Sequence, residues 1–107
     1  MNRLKELRES LHISVEEFCK MFEVHRSSVY RYEGTNKNEP RELPIGLALR
    51  VAEKFNVSMD WLVGKDVPKY RDNISSMLTE IYDRLSDEGR KELINFAVYL
   101  RTKEEQA

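Results

Sequence analysis

The chain has a single cysteine among its 107 residues. Cys19 cannot close an internal disulfide, and a lone thiol fits a reducing compartment. Only two histidines are present, His12 and His25, and neither has clustered partners at metal-ligand spacing. No apolar run approaches the length of a membrane span and no signal-peptide core is visible, which predicts a cytoplasmic protein without a membrane partner. Glycine and proline are scarce, at 4 and 3 residues, so few positions interrupt a helix. An excess of positive charge is missing too: 18 Lys and Arg stand against 19 Asp and Glu, a formal net charge of −1. The basic footprint of many nucleic-acid-binding domains is therefore absent from the total. No Ser/His/Asp set or carboxylate pair suggests a catalytic centre, so no enzyme activity and no cofactor are expected.

What is present is helical periodicity, organised around Ser14 to Gly34, SVEEFCKMFEVHRSSVYRYEG. Ser14 with Glu17 three residues on is a capping-box signature. Val15, Phe18, Cys19 and Phe22 follow on one helical face. The pattern breaks at Glu23-Val24-His25, and a second helix runs from Arg26 to about Glu33, where Gly34 stops it. On that second helix Val29 and Tyr32 face inward, while Arg26, Ser27, Tyr30 and Arg31 face outward. Hydrogen-bonding side chains with few carboxylates suit the DNA major groove, where bases present donors and acceptors to Arg and Ser. The pair therefore reads as a helix-turn-helix with its recognition helix second. Charge distribution agrees: Arg26 to Arg41 holds four basic residues, Arg26, Arg31, Lys37 and Arg41, against Glu33 and Glu39. The acidic excess lies elsewhere, at Glu16-Glu17, Asp87-Glu88 and Glu104-Glu105.

Three phrases in order, RLKELRESLHIS, VEEFCKMFEVHRSSVYRYEG and NVSMDWLVGK, resemble the lambda repressor/Cro-like (XRE) family of bacterial and phage regulators. The resemblance covers roughly residues 2–65. It implies an all-α fold: a five-helix lambda-repressor-like DNA-binding domain over 1–64, followed here by a C-terminal helical hairpin. Two positions depart from the family. Glu23 stands where the turn usually has Gly, and Val15 stands where a phosphate-touching Gln is common. The resemblance also pairs Arg8 with Glu33. Arg8 lies on the leucine side of the first helix (Leu4, Leu7, Leu11), and a charge in apolar surroundings is normally partnered, which favours the pair over a solvated Arg8. Cys19 takes a position where the family prefers a small Ala, which fits a packed small hydrophobe rather than a redox switch. His25 takes a position where Ser or Thr commonly caps the recognition helix; either a poorer cap or a phosphate donor is consistent with it.

Downstream, TNKNEPREL at 35–43 reads as a polar loop, and Lys37, Asn38 and Arg41 suit backbone phosphates. Pro44 starts a helix whose apolar face is Leu47, Ala48, Val51, Ala52 and Phe55. Ser58 caps a short helix containing Trp61, a core residue by its context. KDVPKYRDN, 65–73, reads as a linker. Beyond it, 74–107, Ile74, Met77, Leu78, Ile81 and Leu85 form one stripe. After Ser86, Leu93, Phe96, Ala97 and Leu100 form another, widened by Ile94, Val98 and Tyr99. Two short helices cannot bury that much apolar surface in each other, so a dimerisation face is expected, with folding back onto the first domain as the alternative. These helices also lack the strands of the self-cleaving peptidase domain carried by some phage repressors.

The sequence thus predicts a double-stranded DNA-binding transcriptional regulator, a repressor acting as a homodimer on a palindromic operator. Arg26, Ser27 and Arg31 would read bases. Ser28, Tyr30, Lys37, Arg41 and the backbone at Ser14 would contact phosphates. The alternative is an antitoxin whose C-terminal helices bind a second protein; an adaptor that kept the fold without DNA binding is a further possibility.

Overall fold

The computed structural model describes residues 2–34 and 41–106. Seven helices occur in it: α1 Leu4–Ser10, α2 Val15–Phe22, α3 Arg26–Glu33, α4 Ile45–Phe55, α5 Met59–Leu62, α6 Ile74–Arg84 and α7 Asp87–Glu105. No strand is formed among the described residues, only an isolated bridge between Val57 and Tyr70. The chain divides into two units, 1–72 and 73–107.

The first unit is built on the predicted stripes. Leu4 and Leu7 of α1, Phe18 and Phe22 of α2, Val29 of α3 and Leu47, Ala48, Val51 and Ala52 of α4 are buried in one cluster with Trp61 and Leu62. The Phe18 and Phe22 rings lie 4.6 Å apart and Phe55 meets Phe22 edge-on at 5.9 Å. Leu11 departs from its expected place in the stripe. α1 ends at Ser10, so Leu11 falls in the following turn and is 38% exposed. Cys19 and Tyr32 are half-buried and pack against the core.

Local signals set the helix ends. The Ser14 hydroxyl accepts from the Glu17 amide at 3.1 Å while the Ser14 amide donates to the Glu17 carboxylate at 3.3 Å, a complete capping box. Glu23 closes α2 in the left-handed region, φ 54° and ψ 47°. A side chain there clashes with its own backbone, which explains why glycine is the favoured residue at such a turn. Gly34 ends α3 at φ 76° without that strain.

Residues 65–72, expected as a linker, are instead bonded to the first unit. The Ser58 amide donates to the Lys69 carbonyl at 2.7 Å, and Arg71 donates from its amide to the Asn56 carbonyl and from Nε to the Val57 carbonyl at 3.1 Å. Lys69 Nζ also lies 5.2 Å from the centre of the Trp61 ring, where a cation is attracted by the π face. The folded unit therefore runs to Asp72, beyond the expected boundary at 64.

The second unit has α6 and α7 joined at Leu85-Ser86. The Ser86 hydroxyl caps α7 by accepting from the Gly89 amide at 3.2 Å. Arg90 reaches back to the end of α6, donating to the carbonyls of Tyr82 and Asp83 at 2.9 Å each. A Cβ on Gly89 would come within 3.3 Å of the Leu85 side chain, a tight contact that the leucine would have to relieve by a small shift. Neither helix contains a fully buried residue. Among the described residues no helix is long and apolar enough to cross a membrane.

Candidate nucleic-acid interface

α3 is eight residues long, and a helix this short has little stability of its own. Packing fixes it. Val29 anchors its inner face. At its C-terminal end the Glu33 carboxylate, with a side chain only 1% exposed, meets Arg8 of α1 in a two-point contact: Nε to Oε2 at 2.7 Å and Nη2 to Oε1 at 3.0 Å. Arg8 also donates to the Ile13 carbonyl at 2.9 Å, tying the turn before α2 into the same joint. The hydrogen bonds that Arg8 donates to the Glu33 carboxylate are the main reason its guanidinium is held above its ordinary pKa, against the opposing pull of burial. An arginine is charged throughout the ordinary pH range, so the joint does not titrate through Arg8. Asn2 adds a second brace, donating from Nδ2 to the Tyr32 carbonyl at 2.9 Å.

With α3 so held, its other face is available. Arg26, Ser27 and Tyr30 are exposed, while Ser28 and Arg31 are half-buried. Arg31, expected to point outward with Arg26, instead lines a cavity of about 560 Å³ at the end of α3, together with Asn2, Glu33, Gly34 and Arg41. The Arg41 amide donates to the Arg31 carbonyl at 3.2 Å, so the two arginines are brought to one place. Lys37 and Asn38, the expected phosphate contacts of the loop, lie outside the described residues. Ser14 is engaged in its capping box, which leaves the amides of Val15 and Glu16 as the first-turn groups of α2 with no carbonyl partner in their own helix. His25 precedes α3 with extended backbone and makes no side-chain cap. Its Nδ1 lies 3.5 Å from the Ser27 hydroxyl.

Several contributors escaped the sequence reading. Glu16, at the start of α2, forms an ion pair with Arg26, Oε1 to Nη2 at 2.5 Å. Arg50 of α4 donates to the Phe22 carbonyl at 2.8 Å and lies over the Phe22 ring, supporting the end of α2. Arg3 bonds the Trp61 and Lys65 carbonyls at 2.6 and 2.8 Å. Opposite charge was the only sequence signal for Glu16 and Arg26, and a separation of ten residues matches no helical spacing. The dimerisation candidates are exposed at Phe96, Ala97 and Leu100 and half-buried at Leu93. Among the described residues no group of three or more His, Cys, Asp or Glu could hold a metal ion.

A family model described as helix-turn-helix, HTH_3, matches residues 4–62, from the first residue of α1 to the last of α5. The chain belongs to this family of XRE-type helix-turn-helix proteins. Its first unit is a helix-turn-helix DNA-binding domain, with α2 and α3 as the helix pair. The chain is also similar to a protein of Methanococcus vannielii named as an HTH-type transcriptional regulatory protein, 30% identical over 93 residues. That match covers 80% of this chain but only 25% of the relative's length. No solved structure matches the chain.

Proposed function

We propose that this helix-turn-helix protein is a transcriptional repressor that binds a palindromic operator in double-stranded DNA as a homodimer and acts by binding alone, without a catalytic step. The observation that carries this reading is the mounting of α3. Its inner face and C-terminal end are locked by Val29 and the Arg8–Glu33 contact, and its open face bears Arg26, Ser27 and Tyr30 with no carboxylate among them. Arg26 is suited to pair with guanine O6 and N7, and Ser27 with a neighbouring base edge. Arg41 and Lys37 supply charge for phosphates around the end of α3, and Arg31 reads a base from its flank. The first-turn amides of α2 are suited to a phosphate. The regulatory role is supported by the name of the Methanococcus relative.

The dimer is supported by the second unit. Phe96 is 60% exposed, and Tyr99 and Leu100 on the same helix are exposed with it. A helix pair with apolar side chains outside and none buried gains by pairing with another apolar face. Two copies on a twofold axis would bring their α3 helices into major grooves about 34–36 Å apart.

Selection of bound duplexes from a random pool tests the reading. The full chain should enrich a palindrome. Arg26→Ala or Arg31→Ala should remove about 1–3 kcal/mol of discrimination at particular base positions. Lys37→Ala and Arg41→Ala should weaken all sequences alike and lower the salt slope by about one unit. Enrichment of no sequence would overturn the reading. Co-purification of a second protein bound at Phe96 and Leu100 would favour an antitoxin instead.

A further inference from the structure

The base-reading face of α3 carries no carboxylate, yet one is delivered to it from the neighbouring helix. Glu16, in the first turn of α2, holds Arg26, the first residue of α3, across the turn between them. Both side chains are largely exposed, 70% for Glu16 and 55% for Arg26, so packing does not force them together. An anion at a DNA-facing edge repels phosphates, and this is an unfavourable place for one unless it has a task.

We infer that Glu16 is a positioning residue for Arg26 and thereby sets base specificity. This inference rests on the proposal that α3 reads the major groove. The contact uses one N–H of Nη2. A guanidinium has five N–H donors in a fixed plane, so enough remain for a two-point contact to guanine O6 and N7. Arginine on a flexible stem otherwise has two competing partners on DNA, the base edge and the nearby phosphate. Glu16 acts on that competition twice. Its carboxylate tethers one end of the guanidinium, and its charge disfavours the phosphate-bound arrangement of Arg26. The result is a contact that costs affinity for DNA in general and gains discrimination at one base pair.

The experiment uses the full chain, random-pool selection, and binding to the selected and a scrambled duplex over a range of salt. Glu16→Ala should bind scrambled DNA more tightly and raise the salt slope by about one unit, as Arg26 moves to a phosphate. Its preference for guanine at the Arg26 position should fall ~10-fold. Glu16→Asp separates geometry from charge: it keeps the anion but shortens its reach. Positioning requires Glu16→Asp to lose the guanine preference as Glu16→Ala does. If Glu16→Asp and Glu16→Ala both keep that preference while Arg26→Ala loses it, the inference is overturned and the α3 reading stands. If Asp keeps it and Ala loses it, charge alone is at work and positioning is overturned. If Arg26→Ala keeps it, the α3 reading itself fails. Because Glu16 is exposed and caps nothing, unfolding is not an expected consequence of either change.

Discussion

The two units of this chain are similar in secondary structure and opposite in packing. The first buries Leu4, Phe18, Val29, Val51 and Leu62 almost completely, and each of its helices contributes at least one buried residue. The second has two helices of 11 and 19 residues, neither of which contains a fully buried residue. The first can fold on its own apolar contacts. The second is held by capping and carbonyl contacts at its junction, from Ser86 and Arg90, and displays its large apolar side chains. Length and helix propensity do not separate the two; the presence of an internal core does.

Core truncation gives the largest contrast. Phe18→Ala should lower the unfolding free energy of the first unit by about 3–5 kcal/mol, whereas Phe96→Ala should leave it within about 0.5 kcal/mol. Denaturant titration of the two variants, followed by Trp61 fluorescence, measures both. Equal losses would mean that the units share one core.

The Arg8–Glu33 joint comes next. Removing either partner strands a buried charge and should cost about 3–5 kcal/mol, and the double variant should lose much less than the sum. Thermal unfolding of the three variants gives the coupling. Additive losses would make the contact incidental to how α3 is held.

Chain length sharpens the boundary between the units. A fragment ending at Gly64 loses the hydrogen bonds of Lys69 and Arg71, each worth about 1 kcal/mol, and should be about 2–3 kcal/mol less stable than one ending at Asp72. Equal melting of the two fragments would return 65–72 to the status of a linker.

The smallest effects are local to the helix-turn-helix. Glu23→Gly relieves a left-handed side chain and should stabilise by up to about 1 kcal/mol, part of the relief being lost to glycine's greater freedom when unfolded. Calorimetry should show a modest rise in Tm; a fall would mean that the Glu23 side chain contributes a contact of its own.

Much of the first unit was legible because its signals are local. The Ser14–Glu17 capping box, the Phe18 and Phe22 face and Gly34 all act within one or two helical turns. Arg8 and Glu33 could be paired because the family resemblance supplied the partner and a charge on a leucine face needs one. The extent of the unit was not legible. Pro68 and the charges of KDVPKYRDN resemble a linker, and nothing local discloses that the Lys69 carbonyl accepts from the Ser58 amide, that Arg71 donates to the carbonyls of Asn56 and Val57, or that Lys69 covers Trp61. At the interface, helical periodicity gave α3 its outward side but missed two things. Arg31 is drawn into the groove beside Arg41, and Arg26 is engaged by Glu16 from another helix. Both are tertiary events between residues at irregular separations, which periodicity cannot encode.

On the proposed reading the first unit reads DNA and the second doubles it. Binding of the full chain and of a fragment ending at Asp72 to duplexes carrying one or two selected half-sites tests it most directly. The fragment should be monomeric, bind a single half-site about as well as the full chain does, and gain little from a second one. The full chain should prefer the two-site duplex by ~10²–10⁴-fold, because its second contact is effectively intramolecular. A fragment that keeps the two-site preference, or a full chain that lacks it, would contradict the account.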